Sequence, residues 1–348
     1  MPKKQYKISP ANEAAQEMLN DAMVELELRE NPVEIRKIQK LRKDILVTAL
    51  SLGKDEAKYL VSMYYTFQKF RIASAARLRT LADQQKPHEV MIYFTEEMRV
   101  FEAQIKAALQ RYAEGSPVGQ WLLGIKGVGA VIASGLLSHI NIEKAPYAGN
   151  IWSFAGLDPN VVWEKGQRRP WNAELKKICF FARICFTKVS NLPGAYYGER
   201  YKIRKEYEQI RNERGDYAEQ AAQKLEKFNI DKTTDAYKWY SQGKLPPAHI
   251  QARSERHTVK LLLSHLHHIM FVQRYRMKPP KPFALTLPNH NHMLEAPNFD
   301  MDKFLAQQPE GFECWNNPHE PVSANASANA TCRQTDESYH MSVVEWGE

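Results

Sequence analysis

Long apolar runs are missing from this sequence. Nothing in it approaches the roughly 18 consecutive apolar residues of a membrane-spanning helix, so no membrane association is expected. It opens Met1-Pro2-Lys3-Lys4-Gln5, without the apolar stretch of a secretory signal, which predicts a cytoplasmic chain. Cysteine is scarce: Cys179, Cys185, Cys314 and Cys332 form no CxxC pair and no Cys/His ligand spacing. Free thiols are therefore expected, not a disulfide framework or a zinc site. The sequons at Asn325 and Asn329 would matter only in a secreted protein. The first sixty residues also lack the alternating pattern of a β-strand.

What is present is an ordinary globular share of apolar residues, 43% over 348 positions, enough for two domains with their own cores. The net charge of +8 is unevenly spread. From Asp300 onward nine acidic residues face two basic ones, so the preceding 299 residues carry +15. A basic body suits a polyanion, because each neutralised phosphate releases counterions.

Apolar spacing predicts a mainly α fold: a long helical hairpin or coiled-coil arm, a helical domain, and a flexible tail. Asn12–Arg29 and Val33–Leu52 read as helices separated by Asn31-Pro32. Asp55–Gln84 and His88–Ala113 read as long ones, the second striped by Met91, Phe94, Met98, Phe101, Ile105, Leu109 and Tyr112. The stripe serves either packing within the chain or a homodimer seam. Glu114-Gly115-Ser116-Pro117 ends this arm (1–115). Helices then run to residue 283, with loops near Lys144–Ala148, Asp158–Trp171 and Asn191–Gly194. Beyond Pro279-Pro280-Lys281-Pro282 the helical period is lost, predicting an acidic, largely disordered tail over 284–348.

The most informative stretch is Leu122–Ile140. A helix ends near Leu123, Gly124-Ile125-Lys126-Gly127-Val128-Gly129 turns, and a second helix starts at Ala130. Glycines let the turn be tight and its backbone approach another molecule. The N–H groups of Gly127, Gly129 and Ala130 would then face outward at a helix N-terminus, a favourable place for a phosphate, with Lys126 beside it. Ile125 and Val128 are expected to anchor the turn, and the small Ala133, Ser134 and Gly135 to let the two helices approach. No strand precedes the glycines and no acidic residue follows at dinucleotide spacing, so a nucleotide-binding βαβ unit is excluded. A helix-hairpin-helix gripping duplex or branched DNA by its backbone is the expected function.

Basic residues support it: Lys165, Arg168, Arg169, Lys176 and Lys177, interleaved with Trp163 and Trp171, and a second run from Arg200 to Arg214 with Tyr196, Tyr197 and Tyr201. Both sets are candidates for phosphate contact. Such a surface would also serve structured RNA. Asp158, Glu164 and Glu174 read as a solvated surface, and His265, His267 and His268 as packed or exposed side chains; no metal or cofactor is expected. Cys179 and Cys185, among Phe180, Phe181 and Phe186, read as core thiols.

From Val61 to Phe283 the chain resembles the C-terminal half of the DEDD, RuvC-like insertion-sequence transposases. The resemblance rests on Phe101-Glu102-x-x-Ile105, the hairpin, Ile151-Trp-Ser-Phe-Ala-Gly-Leu-Asp-Pro159 and Asn172-Ala-Glu-Leu-Lys-Lys177. Pro193-Gly-Ala-Tyr-Tyr-Gly-Glu-Arg200 and His257-Thr-Val-Lys-Leu-Leu-Leu263 complete it. It implies a helix-hairpin-helix transposase domain from a mobile element, bacterial or phage, with both basic sets around the hairpin. The family's RuvC-like carboxylates have no counterpart in the helical first sixty residues. Its catalytic serine, expected shortly after the Gly-Leu-x-Pro block, is absent from Asn160–Arg169. The expected role is non-catalytic DNA binding. The alternative is an active recombinase subunit using another hydroxyl, the nearest being Ser134, Ser138 and Ser153, all of which read as structural.

Overall fold

Two long helices, set by the spacing of their apolar residues, dominate the first part of the structure. The computed structural model describes residues 41–84, 88–159, 161, 163–280 and 293–306. The expected helix Asn12–Arg29, the start of Val33–Leu52, Cys314, Cys332 and the chain from 307 onward lie outside these. A short helix α1 (Lys43–Thr48) and a 3-10 turn (Ala49–Ser51) lead into α2 (Lys54–Gln84), whose first turn carries Asp55 and Glu56 where carboxylates complement the helix dipole. His88 caps α3 (Glu89–Glu114), its Nδ1 accepting from the Val90 N–H at 3.2 Å. The two run antiparallel, since Phe67 meets Phe101, Arg71 meets Glu102 and Ser74 meets Met98. The Arg71–Glu102 pair, 2.7 Å apart and largely shielded from solvent, fixes their register.

The root of this hairpin is not a free arm. Val61, Ile105, Leu109 and Ala113 share one hydrophobic core with residues from Val118 to Tyr275, so the core crosses position 115 without interruption. Towards the other end Phe70, Val90, Tyr93 and Phe94 are exposed.

Ser116 and Pro117 start α4 (Pro117–Leu123), with the Ser116 Oγ accepting from the Gly119 N–H at 3.1 Å and Pro117 in the first turn. After the turn, α5 (Ala130–His139) is buried at every position from Ala130 to Ser138. It is the central helix, packed against α2, α3, α4 and α7 (Ala173–Lys188). Its small residues were expected to admit α4, but the structure uses them elsewhere. A Cβ at Gly135 would lie 2.6 Å from Ile178 Cδ1 of α7, and Ser134 Oγ donates to the Leu109 carbonyl of α3 at 2.8 Å. The close approach of α4 is made instead by Gly119, where a Cβ would run into the Ala113 carbonyl and lie 3.0 Å from Leu137 Cδ1.

A 3-10 turn (Ile142–Lys144) and α6 (Ala148–Phe154) follow α5. Beyond α7 come α8 (Tyr196–Arg214), α9 (Ala218–Lys227), α10 (Asp235–Ser241) and the 29-residue α11 (Pro247–Tyr275). Helix α11 packs on α6, α7 and α8. A smaller core of Tyr217, Leu245 and Ile250 sits where α8 meets α11. There Asn212 clasps Leu245 in both directions, at 2.9 and 2.8 Å. No strand occurs among the described residues, and the fold is mainly α.

The tail expected from residue 284 is corrected over 293–306. Trp121 Nε1 donates to the Pro297 carbonyl at 2.7 Å, Tyr196 OH to the Glu295 carbonyl at 3.3 Å, and Ala296 and Phe299 pack on the core. The segment ends in α12 (Met301–Ala306), tied back through Lys278 to Asp302 at 2.9 Å. Loss of helical period here reflects an extended strap held by its carbonyls, not loss of packing.

Gly119 sits where α4 meets both the end of α3 and α5. Gly119→Ala is expected to cost about 1–3 kcal/mol, the usual range for overpacking, because the obstacle is backbone that cannot rotate away. Thermal unfolding checks it; an unchanged Tm would contradict this packing.

Candidate nucleic-acid interface

The turn between α4 and α5 is set by two buried anchors and one left-handed glycine. Ile125 and Val128 are buried, and the Val128 N–H closes the turn on the Ile125 carbonyl at 2.9 Å. Gly127 has φ +98°, and a Cβ there would meet Phe186 Cδ1 at 3.0 Å and Val189 Cγ2 at 3.2 Å, so backbone angle and space both demand glycine. Gly129 is the N-cap of α5, with φ −94° and ψ 177°, and is exposed with open space around its Cα. No side chain caps this end. Among the described residues nothing accepts the N–H groups of Gly129, Ala130, Val131 or Ile132, which leaves the donors of the first turn for an outside partner.

Of the basic residues expected here, the structure brings Lys126 to the hairpin and leaves most others away from it. Lys126 is exposed, and its Nζ donates to the Pro193 carbonyl in the loop before α8. The exposed Lys188, at the C-terminal end of α7, lines an open, mostly apolar depression with Gly127, Val128, Gly129, Cys185 and Val189. Sequence reasoning missed Lys188, because nothing in the primary structure announces that this end of α7 meets the turn. Arg200 lies in the first turns of α8, its guanidinium 5.1 Å from the Tyr196 ring centre.

Lys165, Arg168, Arg169, Lys176 and Lys177 gather at the other end of α7. Twelve residues of helix separate Lys176 from Lys188, about 18 Å at 1.5 Å per residue. The expectation that this set surrounds the hairpin is thereby corrected: α7 holds the two groups apart. Lys165 and Arg168 are exposed, Arg169 lies over Trp163 at 5.5 Å, and Lys176 over Trp171 at 4.0 Å. Lys177 is shared between Tyr65 and Glu174, whose carboxylate is 3.3 Å away. Gly156, with φ +65°, lets Trp171 and Lys176 close over it. Further along α8 three cations of the second basic run are paired within the chain, Arg204 with Glu208 and Arg211 and Arg214 with Asp216, whereas Lys202 is exposed and Lys205 lies 5.8 Å from the Tyr201 ring centre.

The hydroxyls and histidines have structural work to do. Ser134 and Ser138 donate to backbone carbonyls, and Ser153 Oγ donates to Asp158 at 2.8 Å. Cys179 is buried and Cys185 half-buried, both as free thiols, and burial pushes the Cys179 thiol up to about 12. His267 Nε2 donates to the Ala145 carbonyl at 2.9 Å. His265 bridges Tyr197 OH and the Leu294 carbonyl, both at 2.8 Å, as a neutral ring donating from Nε2 and accepting at Nδ1. Among the described residues no group of three or more His, Cys, Asp or Glu is placed to hold a metal ion, and no helix is long and apolar enough to cross a membrane.

No protein-family model, curated protein or solved structure matches this chain.

The buried histidines make stability pH-dependent. Burial pushes His265 and His268 down to about 4. The unfolded chain takes up these protons near 6.5 while the folded one resists until about 4, so stability is expected to fall as pH is lowered through that window. His265 alone contributes on the order of 3 kcal/mol to that fall. Tm measured against pH checks it: the acid-side slope should be shallower in His265→Gln than in the wild type, and an equal slope would contradict the assignment.

Proposed function

We propose that this chain binds the sugar–phosphate backbone of duplex or branched DNA through the α4–α5 hairpin. It does so as a non-catalytic relative of the transposase domain that its motifs resemble. The supporting observation is the uncapped start of α5: four backbone N–H groups without an acceptor among the described residues, an exposed glycine N-cap, Lys188 beside it and Lys126 in the turn itself. Oriented N–H groups at a helix start favour an oxyanion, and glycine lets the phosphate come close. Such contacts hold a duplex without reading its bases. A basic body with +15 over its first 299 residues adds sequence-independent attraction.

A phosphate seated on the hairpin would let one substitution separate binding from folding. Asp is a better N-cap than glycine by a few tenths of a kcal/mol, and the open space at Gly129 admits it. Gly129→Asp is therefore expected to keep or slightly raise Tm while its carboxylate occupies the phosphate position. Affinity for labelled duplex and four-way junction should fall at least about tenfold, equivalent to about 1.4 kcal/mol. Unchanged binding by a folded Gly129→Asp, or no binding by the wild type, would overturn the hairpin reading. Tighter binding of structured RNA than of either DNA would replace the ligand. Sustained strand cleavage by the pure chain with divalent metal would overturn the non-catalytic assignment.

A further inference from the structure

Helices α7 and α11 bring together four cations that the carboxylates beside them balance only in part. Lys176 and Arg183 come from α7, Arg256 and Lys260 from α11, and all four are half-buried. On α11, Arg253, Arg256 and Lys260 follow at three- and four-residue spacing and so share one side of the helix. Lys260 lies 5.3 Å from the Trp152 ring centre, and Trp152 Nε1 donates to the Lys260 carbonyl at 3.0 Å.

Three carboxylates face this set. Glu255 is 3.5 Å from Arg183 and also accepts from Gln251. Asp158 accepts from Ser153 and attracts Lys260. Glu208 is committed to Arg204, Arg253 and Tyr217. Among the described residues neither Lys176 nor Arg256 has a carboxylate within ion-pair reach.

The crowding is felt by the groups themselves. Burial pushes Lys260 down to about 8, with Arg256 adding to the fall. Burial, then Arg183 and Arg253, lowers Arg256, and burial, then Arg169 and Arg183, lowers Lys176. Charges shielded from water repel one another with little salt screening, so the positive charge that Glu255 and Asp158 leave unneutralised favours a further anion.

We propose that Lys176, Arg183, Arg256 and Lys260 form a second phosphate site, one that takes the backbone of a nucleic-acid strand. Arginine guanidinium groups match phosphate oxygens in pairs. A strand fits better than a small free ion because the cluster continues outward as alternating cations and rings. Lys176 covers Trp171, Trp171 meets Trp163 at 6.2 Å, Arg169 covers Trp163, and Lys165 and Arg168 stand exposed beyond. Interleaved rings and cations suit successive bases and phosphates. This site runs along the α7–α11 seam and shares no residue with the hairpin, so it rests on the nucleic-acid reading but not on the hairpin itself.

The test is binding of the full chain to duplex and single-stranded DNA across a salt series, comparing wild type, the double variant Lys176→Gln/Arg256→Gln, and Arg256→Lys. The double variant should lose at least about tenfold in affinity and about two from the slope of log affinity against log salt. Arg256→Lys should keep the slope. Without nucleic acid the double variant should hold or gain Tm, since it removes repulsion; a structural role would lower it. Binding lost in the double variant but retained in Gly129→Asp would remove the hairpin reading and leave this site standing. Wild-type affinity and slope in the double variant would overturn the site, as would a marked drop in its Tm. A Tm rise with millimolar inorganic phosphate that the double variant abolishes, without any change in DNA binding, would assign the cluster to a free phosphate and overturn the strand proposal.

Discussion

The seat of Gly127 against Phe186 is the contact on which the rest depends. At φ +98° the backbone turns back on itself, and a methyl group there would press on Phe186 and Val189. With glycine, Ile125 and Val128 reach the core and the start of α5 is left bare. The same seat docks the hairpin on the C-terminal end of α7 and brings Lys188 beside it. One backbone conformation thus sets the entry of the central helix, the direction of its unpaired donors and the charge nearby. Phe186 is held in turn by stacking on Tyr197, whose hydroxyl is bonded to His265 and through it to the strap at Leu294.

The second constraint is electrostatic. Much of the positive charge is used inside the molecule, as in Arg204 and Arg253 on Glu208, where two guanidinium groups and the Tyr217 hydroxyl surround one buried carboxylate. Such arrangements fix the seam between α8 and α11 and leave little for a ligand. Two groups of cations without carboxylate partners lie near α7. Lys188 stands beside the hairpin, which itself carries Lys126, and Lys176 and Arg256 lie along the α7–α11 seam. Net charge alone does not separate these roles; the partners of each cation do.

The hairpin was the most legible part of the sequence. The helix end at Leu123, the turn from Gly124 to Gly129 and the start at Ala130 are local matters of glycine placement and apolar spacing, and the structure has them there. The long helices beginning at Lys54 and Glu89 were legible for the same reason. What local pattern does not carry is the identity of packing partners. Gly135 faces Ile178 rather than α4, and the lysines at 165–177 stand a helix length from the turn they follow in sequence. Arg256 and Lys260 carry no local signal of their own; it is the packing of α7 on α11 that sets Arg183 and Lys176 near them. The strap at 293–306 was invisible because its attachment runs through carbonyls, which every residue has.

Hydrogen exchange of the backbone amides, with and without duplex DNA, tests the central claim most directly, because it reads the donors themselves. The N–H groups of Gly129 to Ile132 lack acceptors among the described residues and should exchange quickly for so enclosed a helix. Bound phosphate should slow them, with smaller changes across the remainder of α5. If duplex binds and slows exchange elsewhere while these amides are untouched, the hairpin is a structural turn and the account of its function is wrong.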